Sequence, residues 1–510
     1  MGMGLGGCSD FILVEIFMRL TRVSLAVLAV VGLLMVGASI QAQGTATPKE
    51  LGGAYTFKQG GWTYVHLQGT PHEIGFQHGY LLKDEIEDNL GVYRLEAVHM
   101  YHSNWAFFRE AGKTVLWPKV EPEYRAELQG IVDGMRARGA GSNGAEGSVD
   151  LWDIMALNGE EEIADYYLPM VNAKEHKVNP PQATAPGRCS ALIATGSATK
   201  DGKIVIAHSN WSPYAEGERW TVAYDIVPEH GQRIMMDGTP GIITSQDDFG
   251  INASGLMITE TTLPQTVGFD VKGIPEFVRS RKAMQYATSI AEYAAIMRKG
   301  NNGGYANSWL IGDRKTGEIG YLEMGFKHTP LTVKKDGYFV SANFPSDPLV
   351  MRDDTPGFDP KDMSSTMNAR HVTAEAFVKK HYGKLDTALA EAYLSDHWDS
   401  FEKKVDADKR SLCGHEENSP EGEKAWGNPP YSPGGSVTGK VADADMAAKM
   451  SFIARAGHPC GEDFLAAPFL AKHPEFGWEK PILHDMKAGP WTAFHAGEAA
   501  PKDDLVVAKR

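Results

Sequence analysis

Cys189 is the residue whose chemistry the sequence frames most openly. It follows a polar, proline-rich stretch, residues 173–188, with Pro180, Pro181 and Pro186, and it opens an apolar run from Ser190 to Ala194. A thiol in that position serves either as a small buried hydrophobe or as a nucleophile. Cleavage of the Arg188–Cys189 bond makes the second reading self-contained: the new α-amine, with an unperturbed pKa of about 7.7–8.0, lies beside the thiol as its general base. The stretch before Cys189 lacks helical or strand periodicity, as an exposed and cleavable linker does. His208, nineteen residues after Cys189, returns to its neighbourhood if the two segments pair as a hairpin. There it could orient the amine or bind the leaving group, or it is an ordinary core histidine.

Two further clusters carry donor atoms. Cys413-Gly414-His415 and His458-Pro459-Cys460 mirror one another and could offer two thiolates and two imidazoles to zinc. In an exported protein a disulfide between Cys413 and Cys460 is the simpler expectation, and it leaves Cys189 as the free thiol. His72 and His78 have no carboxylate at a spacing that completes a metal site and are expected to be structural, at a helix entry. Asn210-Trp211-Ser212 and Asn252-Ala253-Ser254 match the glycosylation sequon, but both fall in strand or turn regions near the proposed chemistry and are discounted.

The elements that must position these residues follow from the pattern along the chain. Export is expected: Arg19 and Arg22 precede an apolar run from Val23 to Ala38, followed by small and polar residues, so a signal peptide ends after Ala42 or after Ala38. The run of sixteen residues is short for a bilayer, which disfavours a retained anchor. Residues 1–42 therefore read as start extension and signal peptide, residues 43–188 as a mainly helical light segment ending in the linker, and residues 189–510 as a heavy segment carrying the nucleophile. Within the light segment, Leu128, Ile131, Val132 and Met135 form one helical face. After Cys189 strands dominate: Ser190–Ala194 and Ile204–Ala207 around Lys200-Asp201-Gly202, then Trp220–Val227, Gln232–Met236, Gly255–Glu260, Ser308–Ile311, Ile319–Glu323 and Pro330–Ala342. Helices are expected over Lys282–Arg298 and Ala369–His381. A net charge of −15 without a basic run excludes nucleic acid as the main partner.

Several segments in order resemble the phospholipase B-like family: Gly187-Arg188-Cys189-Ser190-Ala191-Leu192 with Lys200-Asp201-Gly202 and His208-Ser209-Asn210-Trp211; Asp247-Asp248-Phe249 with Glu260-Thr261-Thr262; Asn307-Ser308-Trp309 through Asp313; Asp336-Gly337-Tyr338-Phe339; and Asn368-Ala369-Arg370. Gly69-Thr70-Pro71-His72-Glu73-Ile74-Gly75 is similar to the N-terminal signature of the related penicillin acyltransferase (C45) family. The resemblance implies an α+β fold, the four-layer αββα sandwich of N-terminal-nucleophile hydrolases. It also implies autocatalytic cleavage before Cys189, a light chain that remains the heavy chain's partner, and hydrolysis of an acylated small-molecule or lipid substrate through a thioester, with no cofactor. It assigns Asn307 as the side-chain donor to the oxyanion and Arg370 to the site. Asn252 is a further candidate, as a backbone donor or a plain turn residue. Where C45 relatives carry an arginine and, three residues later, an aspartate, this chain has His208 and Trp211. Their amide specificity is therefore not transferred. An acyltransferase with an amine acceptor, and a binding protein that kept the fold without activity, are the alternatives.

Overall fold

The computed structural model describes residues 1, 49–140, 148–176, 188–246 and 249–500. The expected leader, Asp247-Asp248 and most of the linker before Cys189 lie outside them. The linker's first residues do not: the helix Leu168–His176 continues through Ala173 to His176.

In chain order the strands are β1 (Tyr55–Gln59), β2 (Trp62–Gly69), β3 (Arg188–Thr195), β4 (Val205–Pro213), β5 (Val222–Pro228), β6 (Ile234–Gly238), β7 (Phe249–Asn252), β8 (Leu256–Thr262) and β9 (Asn307–Asp313). They continue as β10 (Glu318–Met324), β11 (Leu331–Lys334), β12 (Gly337–Ser341), the short pair β13 (Trp398–Asp399) and β14 (Lys404–Val405), β15 (Gly434–Asp443), β16 (Ser451–Ala456) and β17 (Thr492–His495). One sheet has nine strands in the order β1-β2-β5-β6-β7-β8-β9-β10-β11, and the other six, β12-β3-β4-β15-β16-β17.

Alternation along the strands sorts side chains into three cores. Ala191, Ile193 and Ile206 of the six-stranded sheet, with Ile204 just before β4, meet Tyr64, Met235, Met257 and Leu310 of the nine-stranded sheet. The other face of the nine-stranded sheet, with Val65, Tyr224, Ile258 and Trp309, packs on helices that include Leu128, Ile131 and Met135. The other face of the six-stranded sheet, with Leu192, Ala207 and Val441, packs on Ala374, Val378 and Tyr393. The layers therefore run helices, sheet, sheet, helices, as expected for an α+β sandwich. In the central strands both faces are buried, as in β8 and β9, where every residue is buried.

The light segment contributes structure to the large sheet rather than standing apart. Strand β2 pairs in parallel with β5, from Thr63 opposite Val222 to Gly69 opposite Pro228. Helix Pro71–Leu81 begins at a capping box in which Thr70 accepts from the Glu73 amide and Glu73 returns the bond to the Thr70 amide. It lies against helix Pro122–Ala137 at glycine contacts: a Cβ on Gly79 would fall 1.9 Å from the Ile131 carbonyl oxygen, and one on Gly134 2.0 Å from that of Phe76. His78 is structural, as expected. It is fully buried and accepts at Nε2 from the Gly241 amide at 2.9 Å.

Two expected elements are divided. The stretch 330–342 is broken at Gly337, which takes φ +106°, so that β11 joins the nine-stranded sheet and β12 the six-stranded one. The helix expected over 282–298 ends at Tyr286 and restarts at Ile290 behind the Ser289 N-cap. Asn252 enforces the break by donating from Nδ2 to the carbonyls of Met284 and Ala287.

Candidate active site

Strand β3 starts at the edge of the described chain, and its register with β4 places Cys189 opposite Asn210 and Ala191 opposite His208. Cys189 is 1% exposed. Its thiol donates to Asn210 Oδ1 at 3.3 Å. Its backbone N–H, the nitrogen that becomes an α-amine if the preceding bond is cut, donates to Asn343 Oδ1 at 3.0 Å. Its carbonyl accepts from Arg370 at 2.6 Å, and a second arm of the same guanidinium reaches Asn343 Oδ1 at 2.8 Å. Thiol, nitrogen and carbonyl of one residue are thus each held by a side chain distant in sequence.

The holders are themselves fixed. Asn343 donates from Nδ2 to the Thr262 carbonyl at 2.7 Å, which settles its amide orientation. It sits just after β12 with φ +61°, a left-handed conformation that asparagine tolerates better than most residues. Arg370, on helix Thr366–Lys380, is fully buried, bonds Thr366 Oγ1 at 2.9 Å and stacks over Trp211 at 4.2 Å. Burial pulls its guanidinium down to about 10, so it remains a cation at neutral pH. Asn210 keeps one donor in reserve: its Nδ2 is buried and has no hydrogen-bond partner. That group lies beside the thiol, where an oxyanion would need a donor.

Of the residues expected from sequence, the structure brings Cys189 and Arg370 together. His208 is one pleat further along the same strand pair, buried between the sheets beside Lys440. Burial, and then the Lys440 cation, hold its pKa well below the ordinary histidine value, so the ring is neutral. Asn307 pairs with Thr262, whose carbonyl holds Asn343, so its backbone is at the Cys189 end of the sheet. Its register neighbour Met324 and Trp309 two residues on both belong to the helix-side core, which puts the Asn307 side chain on that face. Both of its amide atoms are buried without a partner. Asn252 ends β7 beside Leu256, the residue at the opposite end of β8 from Thr262, six residues or roughly 20 Å along the strand. Its Nδ2 caps the broken helix, and its Oδ1 accepts from Ser254 and the Leu256 amide.

The residues missed by sequence reasoning are Asn210 and Asn343. Asn210 was within reach, since it sits two positions past His208 in the segment that returns toward Cys189. Asn343 had no local signal: it is 154 residues from Cys189 and arrives only through the pairing of β12 with β3.

Cys413 and Cys460, expected as a disulfide, are free thiols in the structure. Beyond the Asn210 end of β4, Pro213 and Gly434 border a cavity of about 320 Å³ with Tyr101, Trp426, Phe476 and Trp478 in its walls and the carboxyls of Glu96, Asp165 and Glu479. No helix among the described residues is long and apolar enough to cross a membrane.

Comparison with known proteins places these residues in a family. An uncharacterized protein of Archaeoglobus fulgidus is 26% identical over 265 residues, 50% of this chain and 42% of that protein. Human phospholipase B-like 1 is 24% identical over 362 residues, 65% of this chain and 62% of that protein. The alignments thus leave more than a third of each relative unmatched. Among solved structures, a penicillin V acylase from Agrobacterium tumefaciens aligns over 52% of this chain and 83% of that one, at 13% identity and a TM-score of 0.30. The sequence profile of phospholipase B matches residues 84–370, which takes in Cys189, Asn210, Asn343 and Arg370. Because that match covers more than half of the sequence, the chain belongs to the phospholipase B family.

Proposed function

We propose that this protein is an exported hydrolase precursor that cuts itself between Arg188 and Cys189 and then cleaves amide or ester bonds of an acylated substrate with the Cys189 thiol. The observation that carries the reading is the threefold hold on Cys189 by Asn210, Asn343 and Arg370. In the first step the thiol adds to the carbonyl carbon of residue 188. The C–N bond breaks, the nitrogen takes the thiol's proton, and a thioester remains that water hydrolyses. The freed nitrogen is already hydrogen-bonded to Asn343, so the new amine stays oriented beside the thiol as its base. In turnover the same thiol attacks the substrate carbonyl, the amine or alcohol leaves with the proton, and water opens the acyl-enzyme. The buried Arg370 cation favours a thiolate at Cys189. The unpaired Nδ2 of Asn210, beside the thiol, serves as donor to the developing oxyanion, and Asn307 is the alternative donor that the resemblance names.

Two further features support this reading. The parallel pairing of β2 with β5 holds a strand from before the cut in the large sheet, so a cut chain stays together as two associated pieces. The aromatic walls of the cavity beyond Pro213 suit an acyl chain. An amine in place of water as the acceptor makes the enzyme an acyltransferase, and the two are told apart by the product formed with and without added amine.

N-terminal sequencing and intact mass of the secreted protein test the proposal, together with release of fatty acid from N-acyl amides and phospholipids. The expected result is a fragment starting at Cys189 in the wild type, and an uncut, inactive Cys189→Ala protein. A fully active preparation consisting of one intact chain would falsify the proposal, and so would a Cys189→Ala protein that hydrolyses at the wild-type rate.

A further inference from the structure

On the helix-covered face of the six-stranded sheet, behind the nucleophile strand, four side chains from three separate segments converge. The donor atoms of His397, Cys413, His415 and Cys460 all lie within 4.8 Å of one another. The sulfurs of Cys413 and Cys460 are each 3.6 Å from His415 Nε2. Metal bonds of about 2.3 Å to sulfur and about 2.0–2.1 Å to nitrogen separate tetrahedral sulfur and nitrogen donors by roughly 3.6 Å. A disulfide needs its sulfurs bonded, whereas here a ring nitrogen faces both of them and the thiols are free.

The surroundings are those of a metal site. His415 Nδ1 bonds Glu417 Oε1 at 3.1 Å, and Glu417 Oε2 accepts from the Tyr214 hydroxyl at 2.5 Å. That relay holds the imidazole in the tautomer whose Nε2 lone pair points to the sulfurs. Cys413 and His415 are 0% and 2% exposed, and His397 and Cys460 are half-buried. His397 Nε2 is buried and has no hydrogen-bond partner. His458, which the mirrored sequence suggested as a ligand, stacks on His415 at 4.1 Å and groups with it and Glu417, whereas His397 is the histidine grouped with His415 and both sulfurs.

We propose that His397, Cys413, His415 and Cys460 bind one zinc ion in tetrahedral coordination, and that this ion clamps the loop backing the nucleophile. Two sulfurs with two imidazoles select a borderline-soft ion over calcium or magnesium, and the 3.6 Å sulfur–nitrogen spacings are those of a tetrahedral zinc site. The clamp connects to the active site through a short chain of contacts. Gly414, between two of the ligands, lies flat on Trp211, so close that a Cβ there would fall 2.1 Å from the ring. The Arg370 guanidinium stacks over the same ring, and the Leu412 carbonyl accepts from Ser190 at 3.2 Å. Residues 397–460 lie beyond the span matched by the phospholipase B profile, residues 84–370.

Metal analysis of the full-length secreted protein, purified without chelator, tests this. The expected result is one equivalent of zinc per chain, retained in full by the Cys189→Ala protein and lost in a His397→Ala, Cys460→Ser double variant. That variant should also melt at a lower temperature. Replacement with cobalt should give the intense visible bands of a tetrahedral site with thiolate ligands. Should the double variant fail to fold, X-ray absorption of the wild-type zinc decides: two sulfurs at about 2.3 Å and two nitrogens at about 2.0 Å support the site. A Cys413–Cys460 disulfide in the unreduced peptide map overturns it. So does a metal-free active protein whose two thiols both react with a thiol reagent. Retention of zinc by Cys189→Ala leaves the clamp standing even if the nucleophile assignment fails.

Discussion

Among single residues, the amide groups divide by whether their hydrogen bonds are already used. Asn252 and Asn343 spend theirs on the fold, while the Nδ2 of Asn210 is buried beside the thiol with nothing to donate to. Leaving such a donor unpaired costs about 1–3 kcal/mol; the amides of Asn210 and Asn307 are both left so, but only that of Asn210 lies beside the thiol, where a developing oxyanion would take it up. Asn210→Ala should therefore lower kcat by roughly a hundred- to a thousand-fold with KM little changed, the signature of an interaction made only in the transition state. Asn307→Ala, with its side chain on the helix face, should move the melting temperature and spare kcat. Steady-state kinetics and thermal denaturation on both variants check this, and a reversed pattern makes Asn307 the donor. Cys189 was legible because the texture of the sequence changes on either side of it, and Arg370 because its segment resembles the family. Asn210 was missed through two positions of hairpin register. Asn343 was missed because nothing local announces a pairing between strands some 150 residues apart.

Among elements, the light segment is organised by two helices whose glycines allow backbone contact. Gly75 and Gly79 face Gly130 and Gly134, and at each of them an added Cβ would meet a carbonyl oxygen within 2.3 Å. Backbone cannot yield as a side-chain tip can, so Gly134→Ala should destabilise by about 1–3 kcal/mol through overpacking. Gly91 is the control: it is exposed in helix Lys83–His99 with nothing within 4 Å of an added methyl, and Gly91→Ala should stabilise by about 0.5–1 kcal/mol. Urea titration of both variants decides whether the contact or mere helix propensity governs. The helix Pro122–Ala137 was readable from its apolar stripe. What periodicity could not show was where an element is cut by a partner far away: the Asn252 cap that splits one helix, and the turn at Gly337 that sends two halves of an apolar stretch into different sheets.

For the whole molecule, burial has placed acidic groups where the light and heavy segments meet. Glu96, Glu160 and Asp165 come from before the proposed cut, and Glu216 and Glu479 from after it. Burial raises Glu96, Asp165 and Glu479 to about 8. Burial, reinforced by neighbouring carboxyls, holds Glu160 and Glu216 well above the ordinary carboxyl range. These groups are protonated in the folded protein at neutral pH, whereas in the unfolded chain the glutamates ionise near 4.5 and Asp165 near 3.8. Between those limits the folded state binds more protons, so stability is fully present below about 4.5 and falls as pH rises toward 8 and beyond. Asp225 acts in the opposite sense. Burial works against its carboxylate, but bonds from His66 and Arg233 hold it below the usual aspartate value, and that contribution is lost in strong acid. The two trends give a maximum in mildly acidic solution. The melting temperature should therefore be higher at pH 5 than at pH 8, and in a cut protein the two pieces should separate more readily at the alkaline end, because the acidic groups face one another across their contact. Scanning calorimetry from pH 4 to 9, with size-exclusion chromatography of the cut protein at each pH, measures both. A melting temperature that stays level or climbs from pH 5 to pH 8 would show that these carboxyls are ionised in the folded state, and that water or a bound cation reaches the place where the two segments meet.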